Sequence, residues 1–288
     1  MQNKKKLVSI IINCYNGEKF VSRCLRSIFS QTHKNFEIIF WDNLSTDKTQ
    51  IELKKFKDKR IRYFKSKKFS KLYEARNFAI KKAKGNYIAF LDIDDTWEKK
   101  KLQLQLKKII NSNSDVCFTN HFVKKKTAKI FKTRLSSENI FNQILNENPI
   151  SILTVIIKKD VFKKLKYSFN PKYEIIGDFD FFLRISKKLK FCCINEPLAT
   201  YYIHKSNLSI KKLDLEISEF RYWINKNKFI LKSNDNLIKS KNNIRVCNYL
   251  LTKNKLTIFS KEFLLLDNLI LQIKFFIKIL IYKFKLHD

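Results

Sequence analysis

Residues 90–97 read FLDIDDTW and place Asp92, Asp94 and Asp95 directly behind an apolar run. Carboxylates this close repel and raise one another's pKa unless a cation or hydrogen-bond donors hold them. A divalent metal is the usual partner, because hard oxygen ligands suit Mg2+ or Mn2+. Asp92 and Asp94 stand at i and i+2, a spacing that turns both side chains to one side of a strand end. A metal held there completes its shell with water and substrate phosphates, so a nucleoside diphosphate is a natural co-ligand. The plainer alternative is a helix cap, with Asp95 or Thr96 capping a helix that starts near Trp97.

A second acidic site is GDFDFFLRI, where Asp178 and Asp180 flank Phe179 just after Gly177. Beside so apolar a stretch, one carboxylate could carry a raised pKa and act as a general base. Alternatively, both serve the positive end of a helix dipole. In NCYNGEKF, Gly17 permits a tight turn into a helix whose N-terminus can face an anion. Asp42 ends the next apolar run and could accept a hydrogen bond from a nucleobase or a ribose hydroxyl; Ser45 and Asp47 are the better caps for the helix that follows. Arg76 could reach a phosphate or base, or be an exposed helix cation. His204 follows a strand, as a satisfied or exposed histidine or as a substrate contact.

These residues need a frame. Apolar runs at 7–12, 36–41, 61–65, 87–92 and 115–122 read as strands. Between them lie amphipathic stretches near 18–30, after STDKT, over 70–85 from a Ser cap to a Gly stop, and up to about 111. Such alternation predicts an α/β fold, a mainly parallel sheet flanked by helices. In these sheets ligands bind beyond the carboxyl ends of the strands. That rule sets Asn13–Gly17, Asp42–Asp47 and Asp92–Asp95 along one rim. From 123 to 210 the pattern is mixed, with a connector and helix, a strand leading into a helix, GDFD opening a helix, and FCCINEPLATYYIH as one or two strands. The expected division is 1–210 as the main domain and 211–288 as a helical C-terminal extension. The last stretch, KEFLLLDNLILQIKFFIKILIYKFKLHD, is broken by charge too often for a membrane span; it suits a membrane surface or a packed terminal helix.

The chain of 288 residues is 44% hydrophobic, enough for a substantial core. Sixty basic against 26 acidic side chains leave a net charge of +34, which suggests an anionic partner. A general excess of Lys, Asn, Ile and Phe accounts for much of that charge, and no aromatic-interleaved basic motif of the RNA-recognition type is present, so no specific nucleic acid is expected. Six cysteines lack metal-ligand spacing and read as reduced core thiols of a cytoplasmic protein. The apolar run near the N-terminus is short and polar-interrupted, a buried strand rather than a signal peptide.

In this order the pieces resemble the family 2 glycosyltransferases of the GT-A fold, over roughly residues 6–210. SIIINCYNGEKFVSRCLRSIFSQTHKNFEIIFWDNLSTDKT is similar to their opening, and EARNFAIKKAKGNYIAFLDIDDTW to their Arg-Asn helix leading into the Asp-x-Asp strand end. The resemblance implies an inverting enzyme that moves a sugar from a nucleotide-diphosphate sugar to a hydroxyl of a glycan or lipid-linked acceptor. Surface polysaccharide or glycolipid synthesis at an anionic inner membrane face would be its setting. It implies Tyr15 and Asp42 holding the nucleotide base, Arg76 contacting the nucleotide, and Asp92 on the ribose or sugar side. Asp94 would coordinate Mg2+ or Mn2+, with Asp95 as a second carboxylate, Asp178 as catalytic base, and His204 on donor phosphate or acceptor. Three positions depart from the pattern: Asn43 and Leu44 replace its Asp and Gly, and Gly177 replaces its Glu.

Two rivals share the motifs. LDIDDT also fits the opening of haloacid dehalogenase-like phosphatases, whose first Asp is a nucleophile, but there the strand comes near the start of the fold. A non-catalytic basic protein that binds membrane or nucleic acid is the other.

Overall fold

In the computed structural model, residues 6–125, 128–131, 135–146, 148–163, 168–204, 206–208 and 212–227 are described. The expected C-terminal amphipathic helix and Cys247 lie outside them. In chain order the strands are β1 (Val8–Cys14), β2 (Phe36–Asp42), β3 (Ile61–Lys65), β4 (Tyr87–Phe90), β5 (Thr96–Trp97), β6 (Val116–Lys125), β7 (Ala128–Phe131), β8 (Ile156–Lys158) and β9 (Phe191–Ile203). The helices are α1 (Val21–Phe29), α2 (Thr49–Lys54), α3 (Leu72–Lys82), α4 (Lys101–Asn111), α5 (Ile140–Asn146), α6 (Asp160–Lys163), α7 (Gly177–Ser186) and α8 (Leu213–Lys226).

One sheet runs in the order β3-β2-β1-β4-β8-β6-β9-β5, with β7 hairpinned onto β6. The β3-β2-β1-β4 half is parallel throughout. Beyond β4 the sheet is mixed. β8 is antiparallel to β4 and to β6, β6 and β9 are parallel, and β5 returns antiparallel on β9. The β-branched run of β1 is buried on both faces, as a central parallel strand between two helix layers must be. α1 presents Val21, Cys24, Leu25 and Ile28 inward, at helical spacing, to the cluster formed by Ile10, Ile12, Phe40 and Leu91. Cys14, Cys24, Cys117 and Cys192 are buried and Cys193 is half-buried, all as free thiols.

Three local expectations change. Ser70 does not cap α3; its backbone N–H and C=O are both bonded by the Asn43 side chain, at 3.2 and 2.8 Å. Nor is Gly85 a helix stop: α3 ends on an extended Ala83, and a Cβ at Gly85 would lie 2.6 Å from the Leu7 carbonyl oxygen. The glycine is there for close approach to β1. Likewise Thr96 and Trp97 form β5 rather than a helix start, and α4 begins at Lys101 without a side-chain cap.

Residues 208–288 form a separate compact unit, of which α8 is the described element. No helix among the described residues is long and apolar enough to cross a membrane.

Candidate active site

The order β3-β2-β1-β4 places the carboxyl ends of β1, β2 and β4 side by side, and the predicted residues gather there. Tyr15 stands exposed on the rim, its ring edge-on to Phe69 at 5.1 Å between centroids. The turn behind it is laced to the next loop. Gly17 N–H donates to Thr49 Oγ1 at 2.8 Å, Glu18 N–H to Asp47 Oδ2 at 3.0 Å, and Asn16 N–H to Ser45 Oγ at 3.0 Å. These bonds fix the turn ahead of α1, which begins at Val21.

Asp42 ends β2 and is almost wholly buried. Ser45 N–H donates to its Oδ1 at 2.7 Å, and the Tyr63 hydroxyl to its Oδ2 at 2.6 Å. Each oxygen keeps a second lone pair for another donor. Arg76 is buried, not an exposed cation. Its Nη2 meets Asp92 Oδ1 at 2.5 Å, and its guanidinium lies over the Tyr73 ring at 5.1 Å. Burial of an arginine is tolerable only with such a partner.

The three aspartates divide. Asp92 faces Arg76. Asp94 Oδ2 is met by His204 Nε2 at 2.9 Å and Asn207 Nδ2 at 3.3 Å. Asp95 is fully buried, its Oδ1 accepting Tyr202 N–H at 2.9 Å while its Oδ2 has no hydrogen-bond partner. Burial, then repulsion from Asp92, holds the Asp94 carboxyl above the usual range. Burial and then the charges of Asp94 and Asp92 push Asp95 up further. The imidazole of His204 stacks on Phe20 at 5.0 Å, and its Nδ1 lies 2.8 Å from Ser206 Oγ.

Among the described residues, no three His, Cys, Asp or Glu side chains form a ready cage for an ion. A cation completed by water and substrate phosphates needs no such cage. The donor set fits one. Crowded carboxylates with raised pKa values and a buried, unpartnered Asp95 oxygen mark a local excess of negative charge that a divalent cation would relieve.

Asp178 opens α7, half-buried, its Oδ1 accepting the Phe179 N–H at 2.7 Å. Burial raises its pKa; the Arg76 charge and that N–H pull against the rise. Asp180 is instead buried against Arg184 at 2.9 Å and is spent on its own helix. Asn207 was not singled out from the sequence. The signal was its position three residues after His204, close enough for both side chains to reach one oxygen of Asp94.

A mixed sheet with flanking helices and a rim acid pair beside a separate carboxylate defines a transferase of the GT-A fold. Comparison with known proteins agrees. The chain matches the glycosyl transferase family 2 pattern over residues 9–166 and belongs to that family. It is a glycosyltransferase, and the phosphatase and non-catalytic alternatives fall. The UDP-Glc:alpha-D-GlcNAc-diphosphoundecaprenol beta-1,3-glucosyltransferase WfaP of Escherichia coli is 33% identical over 208 residues, 72% of this chain and 81% of its own length. An uncharacterized glycosyltransferase of Rickettsia conorii is 37% identical over 161 residues, but the chain spans only 26% of that longer protein. Staphylococcus aureus TarS 1–349, solved with UDP-GlcNAc, superposes with a TM-score of 0.63 at 18% identity, covering 94% of this chain and 79% of that one. The mannosyltransferase PcManGT of Pyrobaculum calidifontis, solved with GDP-Man and Mn2+, gives 0.60 at 13% identity, covering 95% and 86%.

Proposed function

We propose that this glycosyltransferase inverts, moving a sugar from a nucleoside-diphosphate sugar to a hydroxyl of a lipid-linked or glycan acceptor in surface polysaccharide or glycolipid synthesis. The observation that carries the reading is the separation of two kinds of acid. Asp94 is hydrogen-bonded to His204 on the rim, whereas Asp178 is set apart at a helix start with its pKa raised by burial. Carboxylates whose environments differ in this way take different roles in catalysis.

Asp178 would take the proton of the acceptor hydroxyl as its oxygen attacks the anomeric carbon from the face opposite the departing diphosphate. A positioned base of this kind contributes about 10²–10⁴-fold. Tyr15 and Asp42 would hold the base of the nucleotide, and Arg76, through Asp92, would fix the carboxylate on the sugar side. Asp94, supported by His204 and Asn207, would hold Mg2+ or Mn2+, whose chemistry is to neutralise charge on the leaving diphosphate. Asp95 points toward β9, so its own part in that shell depends on its free Oδ2. The acceptor named for WfaP, an N-acetylglucosaminyl diphospholipid, supports a lipid-linked acceptor here. The net charge of +34 supports a cytoplasmic enzyme resting on an anionic membrane face.

The test is thermal-shift screening of UDP-, GDP- and dTDP-sugars with Mn2+, followed by turnover with N-acetylglucosamine-diphosphoundecaprenol and NMR of the product's anomeric configuration. A specific nucleotide-sugar shift and an inverted product are expected. A retained configuration would sink the direct-displacement mechanism.

A further inference from the structure

One helix touches both halves of this site. From α3, Arg76 holds Asp92, and its neighbours hold the segment 169–178 that ends on Asp178. Asn77 Oδ1 accepts the Phe169 N–H at 2.9 Å while its Nδ2 donates to the Phe169 carbonyl at 2.8 Å. One side chain thereby does what a neighbouring strand would do. The Tyr73 hydroxyl donates to the Ile175 carbonyl at 3.0 Å, and Lys71 Nζ, just before the helix, to that of Lys172 at 3.1 Å.

Tyr73 does more. Its ring lies against Gly177 so closely that a Cβ there would sit 2.4 Å from Cδ2 and 2.6 Å from Cε2 and Cγ. The ring cannot step aside, being buried, packed on Phe169 at 5.4 Å and covered by the Arg76 guanidinium at 5.1 Å.

We propose that Tyr73 is the positioning residue for Asp178. Its ring sets where α7 begins and its hydroxyl fixes the turn before it, while Asn77 anchors the far end of the segment. The inference rests on Asp178 being the base. It also explains the glycine at 177, where the family resemblance implies glutamate: the space belongs to Tyr73. Arg76 on α3 and Asp92 beyond β4 are the charged groups facing Asp178.

The test uses the full chain with UDP-glucose, or whichever sugar of the panel above the wild type turns over. Tyr73→Phe should lower kcat about tenfold, the worth of one hydrogen bond to a positioned group. Donor KM should stay within about twofold, because the change touches the placement of Asp178 and not the donor site. Gly177→Ala should lower kcat about a hundredfold, as a misplacement near 1 Å does. In a Tyr73→Ala background the same change should cost less than about twofold, since the obstructing ring is gone. Wild-type kcat in Tyr73→Phe, or an equal cost of Gly177→Ala in both backgrounds, would overturn the positioning role. Asp178→Asn is run beside them; wild-type turnover there would overturn the base assignment instead.

Discussion

His204 and Asp94 lie 110 residues apart in sequence, yet imidazole Nε2 and carboxylate Oδ2 meet at 2.9 Å. The pairing makes the C-terminal end of β9 part of the acidic rim. The histidine thereby orients the carboxylate, and the Ser206 hydroxyl at Nδ1 in turn orients the ring.

If Asp94 holds the cation as proposed, His204 should have a measurable effect on metal use. His204→Ala should raise the Mn2+ concentration for half-maximal turnover by about 10–100-fold, the range for losing an outer partner of a metal ligand. Asp94→Ala should abolish transfer at any Mn2+ concentration while the protein stays folded by circular dichroism, and chelator should silence the wild type reversibly. An unchanged metal titration in His204→Ala would count against the pairing.

Asp178→Ala should cost about 10²–10⁴ in kcat with the fold retained. The pH dependence follows from the direction of its shift. The base works ionised and burial raises its pKa, so activity should fall as pH drops through a value above the ordinary carboxylate range of about 3.9–4.3. A kcat profile flat down to pH 4 would be incompatible with this residue as the base.

Leu44 carries backbone strain. Its φ is 72°, in the left-handed region where a non-glycine side chain costs about 1–2 kcal/mol. Leu44→Gly should therefore raise stability by roughly 0.5–1 kcal/mol despite the looser unfolded chain, measured as a shift in urea midpoint. A lower midpoint would mean that the leucine side chain contributes more than the strain removes.

Lys101 gives a pH signature to folding. It is fully buried, bonded to Gln105 Oε1 at 2.6 Å and set over Trp97 at 4.2 Å, and burial lowers its pKa to about 7. Between that value and the unfolded pKa of about 10.4, the unfolded chain binds the extra proton, so stability should rise with pH across this window. Urea unfolding at pH 7 and pH 9 should show a gain in the wild type that shrinks in Lys101→Met. Equal gains in both would place the effect elsewhere.

The parallel half of the fold was readable because β1 to β4 and their helices announce themselves by alternating period, and the rim rule then grouped Tyr15, Asp42 and Asp92. The mixed half was less legible. β8 is only three residues long, and β9 reads as one or two strands because Pro197 sits at an irregularity in its pairing with β6. No local signal says that Asp94 turns to β9's end while Asp95 holds Tyr202, since both are the same residue type one step apart. The cap readings at Ser70 and Thr96 failed because tertiary partners, Asn43 and β9, claimed those backbone groups first. At 43, 44 and 177 the departures from the family pattern have separate physical outcomes: a clamp, a strained turn and a space left for a ring.

The stitching of β9 to the acidic loop bears on where this enzyme can be divided. The family match ends at residue 166, but Asp178, His204 and Asn207 all come later, and Asp95, Thr96 and Trp97 are bonded to β9. A fragment cut where the family match ends would keep the acidic loop and lose the strand bonded to it. The contacts that shape the acidic loop reach some forty residues past the family match, as far as His204.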